Sequence, residues 1–325
     1  MISQHTSASR LKRRTLMTLA VPAMLTLAAC GQQGGTAGAS SSGSSNSGIS
    51  VVASTNVYGD IAQQIGGDKV QVSSIITRES QDPHSYEASA QDRLAVSKAK
   101  LVVANGGGYD DYMDQLAGNG SASVIHAVDF SKEDTTHDHS GEAHAEHEHG
   151  AEGNEHVWYD LHAMEALAEG IKDELIKVDA SNEATYVANA KKLVESLKPL
   201  ADRAHALASA NAGKKFAMTE PVPQYLLSET GFEDATPAGF SSAIEAGNDV
   251  PPLVVLDMEK ALEAKSFSFL AFNPQTATPQ TDSIKATAEK NGVPVLNFLE
   301  LLPEGKDFQQ WMSENISSIE GLNAK

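Results

Sequence analysis

Cysteine is almost absent from this 325-residue chain, and Cys30 is the only one. No intrachain disulfide can form, and the body of the chain has no thiolate for nucleophilic or metal chemistry. Positive charge is scarce as well. Lys and Arg number 24 against 43 Asp and Glu, a formal net charge of −19. That balance argues against nucleic acid as a partner and for a cationic ligand or simple solubility. Long apolar runs are missing beyond the first thirty residues, so nothing there is suited to cross a bilayer as a helix. A His-Glu-x-x-His helix, a common frame of zinc hydrolases, does not occur, and no internal repeat is visible.

The first thirty residues carry a basic start at Arg10, Lys12, Arg13 and Arg14, then an apolar stretch from Leu16 to Leu27. This is too short to span a membrane stably but suits a secretory signal. It ends in Leu27-Ala28-Ala29-Cys30-Gly31, which resembles the lipobox of bacterial lipoproteins. The resemblance implies removal of residues 1–29 and lipidation of Cys30. Residues 31–48 are nearly all Gly, Ser, Ala, Thr and Gln and can bury no core, so residues 30–48 should act as a lipidated flexible tether. The folded body is then expected outside the cytoplasm, lipid-anchored to the bacterial cell membrane.

From Ile49 onward, short β-branched runs alternate with helical patterns, which predicts βαβ units and an α/β fold with mostly parallel sheets. Strands are expected at 49–54, 70–77, 101–105, 124–128, 216–219, 232–235, 267–272 and 293–296. Between the two groups lies the longest uninterrupted helical period, 181–211. Its stripe of Tyr186, Ala190, Leu193, Leu197, Leu200, Ala204 and Leu207 follows a 4,3,4,3 spacing on one helix face. Ser181 stands at its expected N-cap, and Pro199 inside it removes one hydrogen bond. The chain thus divides into an N-terminal αβ lobe at 49–180, a linking helix at 181–212 and a C-terminal αβ lobe at 213–325.

Ligands of parallel sheets sit beyond the carboxyl ends of the strands, and candidate metal ligands recur there. Pro83-His84 follows the second strand, with the proline stiffening the backbone before the imidazole. Residues 132–150 lack apolar periodicity and carry His137, His139, His144, His147 and His149 interleaved with carboxylates. Such a loop can capture a borderline transition metal in several geometries. His156 follows in His156-Val157-Trp158-Tyr159-Asp160, ahead of a helix that contains His162. Glu220 ends a strand just before Pro221, and Glu300 lies a few residues past the last strand.

With these residues in view, the chain from about Ser50 to Ile319 resembles the cluster A-I, or TroA-like, metal-binding lipoproteins of zinc and manganese ABC importers. Pro83-His84 matches the family's first-ligand motif. His156 matches a His-x-Trp-x-Asp element, although the usual Asp-Pro before it is Asn154-Glu155 here. Glu220 stands five residues before Tyr225, as the third ligand does, and Glu300 fits the fourth-ligand carboxylate, with Asp282 as the alternative. The resemblance implies two αβ lobes joined by one long rigid helix, with the metal between them and bound by His84, His156, Glu220 and Glu300. It also implies delivery to an ABC permease and its ATPase by a monomer that is not an enzyme. Two neutral imidazoles and two carboxylates would compensate a divalent cation. The first-row affinity order and the His-rich loop favour Zn2+, whereas Glu at the third position is commoner in manganese members and keeps Mn2+ open. A different class, an extracellular zinc-buffering or adhesion lipoprotein, would use only the His-rich loop.

Overall fold

A computed structural model of the chain describes residues 48–131 and 153–324, apart from Glu79, Asp82 and Asn119. The expected signal segment, Cys30, the tether to residue 47 and the five histidines from His137 to His149 lie outside the described residues.

The first half builds a sheet of β1 (Ile49–Thr55), β2 (Val70–Ile76), β3 (Leu101–Ala104) and β4 (Ser123–His126), ordered β2-β1-β3-β4 with every pairing parallel. Its connections carry α1 (Asn56–Gly66), α2 (Ala90–Lys98) and α3 (Tyr112–Ala117). The strand period of two sorts the side chains. Val51, Ala53, Leu101 and Val103 enter the main core, while Val52, Val102 and Ala104 meet α2 and α3 on the other face. The helix α4 (Leu161–Val178) closes this half, capped by Asp160, whose carboxylate accepts from the backbone N–H of His162 and Ala163.

The second half repeats the plan. Here β5 (Lys215–Met218), β6 (Glu233–Asp234), β7 (Leu270–Phe272) and β8 (Val295–Asn297) form a parallel sheet ordered β6-β5-β7-β8. Around it lie α7 (Gln224–Glu229), α8 (Phe240–Glu245), α9 (Pro252–Glu263), α10 (Pro279–Lys290) and α11 (Phe308–Glu320). Phe240, Ile244, Met258, Leu262, Ile284 and Ala288 cover the outer face through Ala217 and Leu270. Phe216, Met218, Phe269 and Ala271 turn inward to the main core.

Between the halves runs α5 (Glu183–Ala206), followed by the short α6 (Ala208–Asn211). Six members of the expected stripe, Tyr186, Ala190, Leu193, Leu197, Leu200 and Ala204, are buried, and they join core residues of both sheets into one continuous cluster. The single helix expected over 181–211 is divided at Leu207, and its start differs too. Ser181 does not cap it, because its hydroxyl donates to the Asp179 carboxylate, which also accepts from Asn182 and from Tyr186 Oη. One further expectation shifts: the strand expected at 267–272 is regular only over 270–272.

Candidate metal centre

The carboxyl ends of the two sheets supply the chemistry. His84 comes from the loop after β2, Tyr109 from the turn after β3, and Glu155 and His156 from the segment before α4. Glu220 lies two residues past β5, Asn273 one past β7 and Glu300 three past β8. All four ligand residues expected from sequence stem from these carboxyl ends, but only His84 and His156 fall in one tight group of donor atoms, with Glu155 and Glu245 and not with Glu220 and Glu300. His84 Nε2 lies 3.8 Å from Glu300 Oε2, and the two imidazole centroids are 6.1 Å apart. Asn273 Nδ2 bridges the remaining pair, donating to Glu220 Oε2 at 2.6 Å and to Glu300 Oε1 at 2.7 Å. Glu220 and Glu300 are both buried, at 4% and 1% exposure. Asp282, the alternative fourth carboxylate, is exposed in the first turn of α10, and His162 is exposed on α4.

Local sequence explains how each group is held. Gly106, Gly107 and Gly108 all have positive φ, at 78°, 67° and 97°, a turn that L side chains resist. Asp110 fixes it by accepting from the backbone N–H of Asn105 at 2.7 Å and of Gly106 at 2.8 Å. The turn delivers Tyr109, whose hydroxyl donates to Glu300 Oε2 at 3.1 Å and whose ring meets His84 edge-on at 5.0 Å. Trp158 packs against both Tyr109 and His156 and gives the second imidazole a dry wall. Asn154 Oδ1 accepts from His156 Nδ1 at 2.7 Å, and Asn154 is itself anchored by donating to the Pro221 carbonyl at 2.8 Å.

Two carboxylates in the centre carried no sequence motif that singled them out. Glu155 Oε1 lies 3.2 Å from His84 Nδ1, and Glu245 Oε1 lies 3.7 Å from His156 Nε2. One donor atom from each of His84, Glu155, His156 and Glu245 falls within 4.8 Å of the others, the spacing of a group able to hold a metal. Glu245 was hidden because α8 had no clear helical period, and Glu155 because it stands where the resemblance places a proline.

The electrostatics of the centre are dominated by buried carboxyls and a buried imidazole. Burial pushes the Glu245 carboxyl up to about 9, and Glu155, Glu220 and Glu300 push it the same way. Burial raises Glu155 to about 7, with Asp110 and Asp111 adding to the effect. His156 is held well below its usual value by burial and by His84. Among the described residues, no lysine or arginine pairs with Glu155 or Glu245. Both line an open cavity of about 380 Å³ with Asn154, Gln224, Thr236 and Ser242.

A family model described as zinc-uptake complex component A, periplasmic, matches residues 51–321. The chain belongs to this family. Members of the zinc-uptake component family are solute-binding proteins, not enzymes, and the chain is accordingly the substrate-binding component of a metal ABC importer, a role exercised with a permease and an ATPase. Among curated relatives, the manganese ABC transporter substrate-binding lipoprotein scaA of Streptococcus gordonii is 28% identical, over 96% of this chain and 99% of its own length. Two solved structures share the fold. A mutant of the laminin-binding adhesin Lmb of Streptococcus agalactiae is 20% identical with a TM-score of 0.67, covering 85% of this chain and 99% of that one. A ZnuA crystal structure is 19% identical with a TM-score of 0.65, covering 85% and 98%.

Proposed function

We propose that this chain captures a divalent first-row transition metal, zinc in the first place, and that His84, His156, Glu220 and Glu300 hold it for delivery to the permease. The observation that carries the reading is the state of His156. Its Nε2 is buried without a hydrogen-bond partner and faces the Glu245 carboxylate, whose Oε2 is likewise buried without one. A buried imidazole lone pair with no donor to satisfy it is costly, and a cation bound at Nε2 would supply the missing partner. The imidazole and carboxylate donors suit zinc, which the first-row affinity order also favours. His137, His139, His144, His147 and His149 raise the local metal concentration beside the centre. Cys30 carries the lipid and residues 30–48 the leash, so that a monomer works at the extracytoplasmic face of the cell membrane near its permease.

A second reading, a manganese receptor, is favoured by the two extra carboxylates. Glu155 and Glu245 add oxygen donors beside the four expected ligands, and hard oxygen-rich surroundings suit manganese. The S. gordonii relative is named for that metal.

Competitive titration of zinc against manganese on residues 49–325, with and without 132–150, tests these readings. One zinc bound tightly in the presence of equimolar manganese, loop or no loop, is the expected result. Manganese holding the site against zinc would replace the first reading with the second. Loss of all tight binding on deleting the loop would instead make the chain a zinc buffer.

A further inference from the structure

The resemblance places Asp-Pro before the second histidine, and this chain has Asn154-Glu155. A proline offers no side-chain acceptor, whereas Glu155 reaches into the centre. We propose that Asn154 and Glu155 are a pair of positioning residues that preset both ligand imidazoles, Glu155 acting on His84 as Asn154 acts on His156. The inference rests on the metal-binding reading above.

The hydrogen-bond chemistry of the two histidines is parallel. The oxygen of an amide can only accept, and the Asn154 amide nitrogen is committed to the Pro221 carbonyl. His156 Nδ1, 2.7 Å from Asn154 Oδ1, must therefore carry the hydrogen. Its Nε2 is left as a bare lone pair, and that atom is the buried one with no partner. At His84 the facing group is the Glu155 carboxyl, whose unprotonated oxygen likewise only accepts. Glu155 Oε1, 3.2 Å from Nδ1, draws the hydrogen to that nitrogen and turns the Nε2 lone pair toward Glu300. Both Nε2 atoms then face carboxylate oxygens, at 3.7 and 3.8 Å. Those separations are too long for hydrogen bonds. They are close to the ~3.4 Å between neighbouring ligands of a tetrahedral ion with bonds of about 2.1 Å.

The backbone holds the pair rigidly enough for this task. The Glu155 carbonyl accepts from Asn105 Nδ2 at 2.9 Å and from the Val157 N–H at 2.8 Å. The Asn154 carbonyl accepts from Tyr225 Oη at 2.7 Å. Gly107 and Gly108, whose positive φ of 67° and 97° disfavours L side chains, let the turn pass in van der Waals contact with Glu155. Two adjacent residues thus fix the tautomer and heading of two ligands that lie far apart in sequence.

The test uses the metal-free and zinc-titrated folded body with wild-type sequence, Glu155→Ala, Glu155→Gln and His84→Ala. Long-range 15N–1H correlation reads the His84 tautomer without metal, and competition with a chelator reads zinc affinity. Wild type is expected to show His84 protonated on Nδ1. Glu155→Ala should lose that preference and bind zinc about ten- to a hundredfold more weakly. Glu155→Gln, whose amide oxygen can still accept, should restore the tautomer and most of the affinity. An unchanged tautomer and affinity in Glu155→Ala would overturn the proposal. So would a loss as complete as that of His84→Ala, which would make Glu155 a direct ligand. Failure of the wild-type protein to bind one zinc would instead remove the metal-binding reading itself.

Discussion

Glu245 holds a proton at neutral pH in the metal-free protein, because burial and then Glu155, Glu220 and Glu300 push its carboxyl up to about 9. Burial likewise raises Glu155 to about 7. Both folded values lie above the ordinary range near 4.5 of an unfolded chain. The stability they contribute is therefore fully present below that value and is lost as pH rises through about 7 for Glu155 and about 9 for Glu245. The melting temperature of the metal-free body should fall between pH 5 and pH 9, and Glu245→Gln should flatten the fall. A cation entering the centre takes the place of these protons. Zinc titration at pH 7, repeated in buffers of different ionisation enthalpy, should show net proton release, and a binding enthalpy independent of buffer would contradict the assignment. The histidines offer a sharper contrast at this scale. His156→Ala removes a buried donor and should abolish stoichiometric tight binding, whereas His162→Ala, on the exposed face of α4, should leave a chelator-competition curve unchanged.

At the scale of elements, α5 shows what sequence carries well and what it carries poorly. Its stripe was legible because six of the seven spaced residues are buried in a core that reaches both sheets. Leu197→Ala should cost about 2–5 kcal/mol, read as a loss in urea unfolding, while Val187→Ala on the exposed side of the same helix should be nearly neutral. The helix start was less legible, because Ser181 can cap forward or bond backward, and its hydroxyl goes to the Asp179 carboxylate two residues earlier. In the centre the limit is tertiary rather than local. His84, His156, Glu220 and Glu300 follow strands or precede helices at recognisable spacings, so local sequence pointed to them. Glu155 and Glu245 matter only because α8 and the segment before α4 converge in space, and no spacing along the chain encodes that. Asn273 carries no motif of its own, although its amide joins Glu220 to Glu300.

Across the whole molecule, the two halves are held by two kinds of contact that should respond differently to metal. One is permanent: the core continuous through α5, together with a polar face of α1. Asn56 exchanges hydrogen bonds with the Leu302 backbone, Asp60 accepts from the Phe308 N–H at 2.9 Å, and Gln64 pairs with Gln309. Opening the halves there would expose packed apolar surface and strip several buried polar groups at once, so a wide hinge is disfavoured. The other contact is local to the centre. Asn154 donates to the Pro221 carbonyl, and Tyr225 Oη donates to the Asn154 carbonyl at 2.7 Å. Tyr109 Oη adds a third such bond to Glu300, and on the proposed reading a cation leaves by breaking these few bonds without touching the core. Tyr225→Phe removes one donor and keeps the ring, a loss of about 0.5–1.5 kcal/mol for a hydrogen bond. It should speed zinc release into excess chelator by roughly two- to tenfold, with the melting temperature of the metal-free body nearly unchanged. An unaltered release rate would place the moving contact elsewhere. A fall in melting temperature comparable to that of Leu197→Ala would show that this latch belongs to the permanent frame.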